Sequence, residues 1–464
     1  MNTKKILTIS WMLIIAGIAY IGLNFSALFQ EETTSQQIPS GLTPPEKQPI
    51  EIITLPEEEE KSFTQYIRKG EEYFNNEFYE NATELYIEAS ELNPSSSSTL
   101  VKLGNAYLKS NHPKKAEKAF TEAEKINPSS LAIKLAIVQS QLNQQHIEIA
   151  RNTLEQLDQE DTDVKFLSAI LHVLYKDFDG AKKIFEELEA KDFLAHYETY
   201  SYYTEGDPLF LQTLLAKQLT EIDQYSSAIP LLLDVVSKQT NYRDAWIALG
   251  FSYLSIGDIE NAIGSLTQAE ALDPENPDTL FYLGLAYFAN NEITNAIYYI
   301  ESSDTKGFEP KDQLNVKLGD LYVLKNKYEK AAQKYETVLA TNTKNIEIFT
   351  RLAWLYIDKL NTPEKALELA NTAITHHTED PMSYNLKGWA LTALGEYEEA
   401  RIYLSKSLSR DTQFEAAILN LGWLYEQQDQ EDLAKEYYKR AYILGSGNSI
   451  SARAAFRFNK ITLE

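Results

Sequence analysis

The 464-residue chain contains no cysteine, and its basic residues are far outnumbered by its acidic ones. Without cysteine there is no disulfide, no thiolate nucleophile and no cysteine-ligated metal. The 68 Asp and Glu against 43 Lys and Arg give a formal net charge of −25. Because such a surface repels phosphate and anionic lipid headgroups, we expect no nucleic-acid partner and no adsorption to an anionic lipid face.

Motifs for catalysis and for cofactor binding are also missing from the sequence. None of the six histidines has a second histidine at the spacing of a helical metal site, since His376 and His377 are adjacent. There is no glycine-rich phosphate loop that continues as a nucleotide motif requires, and acidic pairs are too frequent for one to stand out as general acid and base. We therefore expect no enzyme activity, no metal site and no cofactor.

The chain does contain a recurring segment, and most copies of this segment are 34 residues long. Residues 243–276 show its positions most clearly, in chain order Trp246, Leu249, Gly250, Tyr253, Ala262, Leu266, Ala269 and Pro274. The fifth of these positions recurs as Ala82, Ala116, Ala150, Ala181, Ala228, Ala262, Ala296, Ala331, Ala366, Ala400 and Ala434. Successive alanines are 34, 34, 31, 47, 34, 34, 35, 35, 34 and 34 residues apart, which indicates a repeat protein.

This pattern resembles the tetratricopeptide repeat (TPR) family. The resemblance implies two antiparallel helices in each repeat, with Gly250 and Ala262 at the point where the helices cross most closely. A single hairpin cannot bury both of its faces, so neighbouring hairpins are expected to stack. We predict an all-α fold, namely an α-solenoid of about eleven TPR helix hairpins preceded by one N-terminal transmembrane helix.

The N-terminal residues have the pattern of a membrane anchor. Lys4 and Lys5 precede residues 6–30, which carry no charge and are long enough to cross a bilayer as a helix. The positive-inside tendency predicts a single-pass protein of the plasma (inner) membrane with a cytoplasmic N-terminus and extracytoplasmic repeats. An uncleaved anchor is favoured, and a cleaved signal peptide is the alternative. Residues 1–30 are then a stub and anchor, and the Pro- and Glu-rich residues 31–62 a linker.

The other boundaries follow from the register of the repeats. Residues 63–195 are predicted to form an N-terminal TPR array whose last two units are degenerate, and residues 209–448 a C-terminal array. The 47-residue spacing before Ala228 leaves about 13 residues beyond one repeat, which favours an irregular insert over 196–208. Drift within a mid-array unit is the alternative. Residues 449–464 are predicted to form a capping helix with one polar face.

Aromatic residues at one repeat position are the candidates for ligand binding. Three tryptophans directly follow the small residue of the helix crossing, and the family resemblance places that position on first helices, facing a concave groove. The candidate groove residues are Trp354, Trp389, Trp423, Arg351, Asn385 and Asn420. Two interpretations remain open, because each tryptophan could pack as lining between helices or contact a ligand.

These features together predict a membrane-anchored TPR scaffold. It would bind a protein or peptide partner in its concave groove and serve the assembly of a membrane or envelope complex. The alternative is an accessory subunit of an envelope machine that handles polysaccharide, pili or secreted protein, because aromatic rows also suit the faces of sugars. A TPR enzyme is disfavoured because the repeats leave no separate catalytic domain.

Overall fold

The computed structural model describes residues 63–75, 78–203, 207–445 and 449–463. Within these ranges the regular structure consists of 24 helices without any strand, so the predicted all-α TPR fold is confirmed. The predicted anchor over 6–30 and the linker over 31–62 lie outside the described residues. Among the helices that are described, none combines the length and the apolar character needed to span a membrane.

The helices are numbered here in chain order. Residues up to 292 contain α1 (Phe63–Asn75), α2 (Tyr79–Leu92), α3 (Ser97–Lys109), α4 (Pro113–Ile126), α5 (Leu131–Asn143), α6 (Ile147–Leu154), α7 (Thr162–Leu174), α8 (Phe178–Glu187), α9 (Lys191–Tyr203), α10 (Pro208–Glu221), α11 (Tyr225–Lys238), α12 (Arg243–Ser255), α13 (Ile259–Leu272) and α14 (Pro277–Ala289). Residues from 293 contain α15 (Ile293–Thr305), α16 (Lys311–Leu324), α17 (Tyr328–Thr341), α18 (Ile346–Trp354) with its π-helical continuation (Leu355–Lys359), α19 (Pro363–His376), α20 (Pro381–Leu394), α21 (Tyr397–Arg410), α22 (Glu415–Gln427), α23 (Glu431–Gly445) and α24 (Ser449–Leu463).

Close helix crossings hold the hairpins together. All eleven alanines of the repeat register are fully buried. At Gly250, an added Cβ would lie 2.5 Å from Cγ of Leu266 and 3.2 Å from the carbonyl oxygen of Ala262. Any larger side chain would therefore push the two helices apart, which explains why small residues recur at these positions.

A left-handed residue closes the turn inside each hairpin from that of α3 and α4 onward. These residues, all with positive φ, are Asn111, Gln145, Lys176, Asp223, Gly257, Asn291, Asn326, Asn361, Gly395 and Asp429. Each stands five positions before an alanine of the register, as Asn111 does before Ala116. Because Gly, Asn and Asp tolerate this conformation best, their recurrence is a second signal of the repeat.

The described residues form two compact units, which divide between Glu292 and Ile293. The first unit contains α1–α14 and has a large apolar cluster that extends from α5 to α12. The second unit contains α15–α24, and its apolar clusters include one formed by α22, α23 and α24. The division therefore falls within the predicted C-terminal array and not at the predicted insert.

The prediction of an irregular insert over 196–208 is wrong for most of that range. Helix α9 has 13 residues, which accounts for the excess length in the 47-residue spacing. The helix forms because Phe193 and Tyr197, one turn apart, both bury their rings. Phe193 stacks on Phe185 with the ring centroids 4.3 Å apart, and the hydroxyl of Tyr197 donates to the carbonyl of Phe178 at 2.9 Å.

Candidate functional site

The three candidate tryptophans lie in the second unit and differ in burial. Trp354 at the end of α18 is 4% exposed, Trp389 in α20 is 7% exposed, and Trp423 in α22 is only half-buried. Rings as buried as the first two contribute mainly to packing. Contact of these residues with a ligand stays a prediction, and Trp423 offers the most accessible ring of the three.

Each of these rings lies beneath a positively charged side chain. The distances from cationic atom to ring centroid are 5.3 Å for Lys359 Nζ and Trp354, 5.6 Å for Arg453 Cζ and Trp389, and 5.3 Å for Arg457 Cζ and Trp423. All three fall within the range of cation–π attraction. The two arginines belong to α24, so the predicted capping helix is in direct contact with two of the three tryptophans.

The same two arginines form ion pairs with acidic residues of the second unit. Arg457 Nη1 lies 3.1 Å from Oε2 of Glu426 in α22, and Arg453 pairs with Asp358 in the π-helical turn. The hydroxyl of Tyr438 also donates to Glu426. These carboxylates are largely covered, with side-chain exposures of 12% for Glu426 and 21% for Asp358. Each arginine therefore binds one carboxylate and one indole ring.

Arg351 lies within a buried polar network and does not present a free charge. Its Nη1 is 2.6 Å from Oδ1 of Asp320, and the hydroxyl of Tyr335 donates to the same oxygen at 2.6 Å. Burial by itself would lower the pKa of Arg351, but Asp320, Tyr335 and Glu347 together outweigh burial and raise that pKa above its ordinary value. Burial and Asp320 together raise the pKa of Tyr335. This network links α16, α17 and α18.

Asn385 and Asn420 bind each other. The side-chain amide of Asn420 in α22 donates to Oδ1 of Asn385 in α20 at 2.9 Å, and the two residues are only 9% and 3% exposed. In such a pair, each buried amide gains a hydrogen bond with the other. The bond joins the first helices of two successive hairpins. The structure thus brings Asn385 and Asn420 together, whereas Arg351 belongs to the separate network around Asp320.

The first unit has a cavity where two sets of hairpin turns meet. Lys109 Nζ lies 3.0 Å from Oδ2 of Asp223, and the side-chain amide of Gln139 donates to Oε1 of Gln224 at 2.7 Å. The cavity has a volume of about 310 Å³ and is lined by polar and apolar groups in about equal measure. Most of the polar groups already bind one another, and no pattern in the sequence indicates this contact.

Histidine and carboxylate groups do not assemble into a metal site anywhere in the described ranges. Among the histidines, His196 in α9 has the most clearly altered surroundings. Its Nε2 lies 2.8 Å from Oε1 of Gln218, and burial lowers its pKa below the usual 6.5. The hydrogen bond to Gln218 partly opposes this change in the pKa, Lys217 lowers the pKa further, and Asp192 raises it slightly.

Known repeat families match several parts of the chain. The model described as "TPR repeat" matches residues 250–291, and models described as "Tetratricopeptide repeat" match residues 97–130, 315–345, 383–414 and 416–442. These matches agree with the helix register and the buried crossings described above. The chain is a tetratricopeptide-repeat protein.

Individual proteins resemble the chain only in part. It is 28% identical over 126 residues to the anaphase-promoting complex subunit CDC16 of Saccharomyces cerevisiae, covering 26% of this chain and 15% of that protein. It is 24% identical over 134 residues to the TPR repeat-containing protein MJ1428 of Methanocaldococcus jannaschii. That alignment covers 29% of this chain and 23% of the relative. The alignments thus span less than a quarter of either relative's length. A solved structure, the APC/C hetero-tetramer Cut9-Hcn1, is similar with a TM-score of 0.34 and 14% sequence identity. The match covers 86% of this chain and 96% of the chain in that structure.

Proposed function

We propose that this protein is a membrane-anchored TPR scaffold that binds a protein partner and supports assembly of a membrane or envelope complex. The observation that carries the proposal is the docking of α24 in the second unit. The acidic and aromatic side chains of α20, α22 and the π-helical turn already bind a helix there through paired contacts. A surface that recognises one helix has the chemistry to recognise another.

The chemistry of this surface suits protein binding. Tryptophan and arginine are the residue types that most often dominate binding energy at protein interfaces. The carboxylates of Asp358 and Glu426 are held on helical elements, so they need little reordering when a cationic group approaches. One curated relative is named as a subunit of the anaphase-promoting complex, which supports a role within an assembly for this chain as well.

The anchor is the second part of the proposal. Residues 6–30 are uncharged, and Lys4 and Lys5 precede them, which favours extracytoplasmic repeats. Protease added to the outer side of intact cells stripped of any outer layers should digest the repeats beyond residue 62 and leave the anchor protected in the membrane. Protection of the repeats until the membrane is lysed would reverse the proposed orientation, and recovery of intact protein in the soluble fraction would refute the anchor.

Partner binding can be tested by photo-crosslinking in native membranes. We would place a crosslinking amino acid at the exposed Gln427, beside Glu426 in α22, and in a matched control at Ile402 in α21, which is 51% exposed. A specific protein adduct at Gln427 that is absent at Ile402 is the expected result. Adducts to glycan would favour the polysaccharide-handling alternative, and equal adducts at both positions would contradict a defined binding surface.

A further inference from the structure

Helix α24 has two faces with different roles. Ala454 and Phe458, which are 0% and 5% exposed, join an apolar cluster with Tyr438 of α23 and with Ile418 and Leu419 of α22. This face would suffice to cover the last hairpin, because a terminal helix needs only one apolar side for that purpose. The other face of α24 makes polar contacts that this covering role does not require.

The second face carries an arginine pair with one turn of helix between its members. Arg453 and Arg457 are four residues apart, so their side chains project to the same side of α24. Arg457 reaches the carboxylate and the indole ring of α22, the helix that α24 also contacts through its apolar face. Arg453 reaches further, to Trp389 in α20 and to Asp358, which is 95 positions earlier in the chain. Covering the last hairpin requires no such contact.

The two arginine sites have the same composition. One consists of Glu426 and Trp423, the other of Asp358 and Trp389, and each offers a carboxylate for ion pairing and a ring face for stacking. A planar guanidinium group can pair with the carboxylate and stack on the indole ring at the same time. A lysine ammonium is a compact charge that has no planar face for stacking. The repetition on separate elements indicates recognition of an arginine pair.

The charge of α24 also contrasts with that of the whole protein. Residues 449–463 carry Arg453, Arg457 and Lys460 and no acidic residue, although the chain has a net charge of −25. The segment is thus electrostatically complementary to the rest of the protein in the way that a basic ligand would be. A ligand held on the same chain would compete with a separate ligand at a high local concentration.

We propose that Asp358, Trp389, Trp423 and Glu426 form a receptor site for an amphipathic helix with two arginines four residues apart. Helix α24 is the built-in occupant of this site, and a protein partner that presents such a helix displaces it. This inference rests on the proposed function, because it specifies the partner of the same surface. It predicts that α24 occupies the site in the isolated protein. The partner's helix, which also carries two arginines, then takes the place of α24.

The test uses the full-length protein and a fluorescent peptide with the sequence of residues 449–463. The double variant Arg453→Glu/Arg457→Glu places negative charge against Asp358 and Glu426 and should release the polar face of α24. Fluorescence anisotropy should show that the variant binds the peptide about tenfold more tightly than wild type does, or better. A peptide with both arginines replaced by glutamine should bind neither protein.

Two further variants make the result decisive. Ala452→Glu adds a negative charge at an exposed position about 100° around α24 from Arg453, and it should bind the peptide as weakly as wild type does. Adding Asp358→Asn and Glu426→Gln to the double variant should abolish the gain, because the carboxylates that receive the arginines are then gone. Hydrogen exchange of α24 should rise in the double variant and remain at the wild-type level in Ala452→Glu.

Several results would overturn the inference. Continued protection of α24 in the double variant would show that the arginines do not hold it in place. An exposed α24 without a gain in peptide binding would show that the surface has no affinity for an arginine helix. If a partner crosslinks at Gln427 equally in wild type and in the double variant, and does not compete with the peptide, the inference fails while the proposed function stands.

Discussion

The ring of Tyr335 fills the space in which a side chain at Gly319 would begin. A Cβ added to Gly319 would lie 2.5 Å from Cε1 of that ring. The tyrosine cannot turn away freely, because its hydroxyl donates to the buried carboxylate of Asp320 at 2.6 Å. One side chain therefore secures both the crossing of α16 with α17 and the polar network that includes Arg351.

The first prediction tests this crossing. Gly319→Ala should lower the free energy of unfolding by about 1–3 kcal/mol, because the ring and the methyl group cannot both fit. Gly264→Ala in α13 is the matched control, since nothing lies within 4 Å of its added Cβ. There alanine should stabilise by about 0.5–1 kcal/mol through its better helix propensity. Urea denaturation measures both, and stabilisation by Gly319→Ala would contradict the close crossing.

The left-handed turns give a second prediction. Gln145 has a φ of 60° and an exposed side chain, so Gln145→Gly should relieve backbone strain and raise stability by about 1 kcal/mol. Gly257 has a φ of 75° with open space around it, and Gly257→Ala should lower stability by a similar amount. Thermal melting of the two variants checks the pair. Shifts of the same sign would rule out backbone strain as the cause.

Tryptophan burial gives a third prediction. Trp389→Ala should lower the free energy of unfolding by about 3–5 kcal/mol, because the ring is 7% exposed and its removal leaves a cavity. Trp423→Ala should cost clearly less, because its ring is only half-buried. Phe456→Ala, at a position that is 50% exposed, should have almost no effect. Equal losses for both tryptophans in urea denaturation would mean that exposure does not separate their roles.

His196 gives a prediction about pH. Its pKa is below 6.5 in the folded state, so the unfolded state takes up a proton more readily. Stability from neutral His196 is therefore present above about pH 6.5 and is lost as pH falls below it. Hydrogen exchange of α9, corrected for the intrinsic effect of pH, should increase between pH 7.5 and 5.5. His196→Gln should remove that increase, and an unchanged pH response in this variant would assign the effect to another group.

The sequence predicted the repeat register well for a physical reason. A crossing that tolerates only a small residue leaves the same signal in every hairpin, and all eleven predicted alanines are buried. Helix α9 was missed because it belongs to no hairpin and lacks the spacing that marks the others. Its helical state depends on burying Phe193 and Tyr197 against α8, which is a tertiary contact.

The candidate site was predicted only in part. Repeat position placed the three tryptophans on the first helices, where the structure has them, but gave no measure of their burial. Position alone also could not show that Asn385 and Asn420 bind each other, or that Arg351 is neutralised by Asp320. The docking of α24 depends on the path of the chain, because Arg453 and Asp358 are 95 residues apart.

The constant offset between the left-handed residue inside a hairpin turn and the alanine that follows it has a consequence for how such a chain can grow. The offset stays at five even where successive repeats are 31 or 47 residues apart, so every change of length lies between an alanine and the next turn. A segment cut from one left-handed residue to the next carries its complete turn and the alanine of its crossing. Whole modules can therefore be duplicated, removed or transplanted without rebuilding the turn of either neighbour.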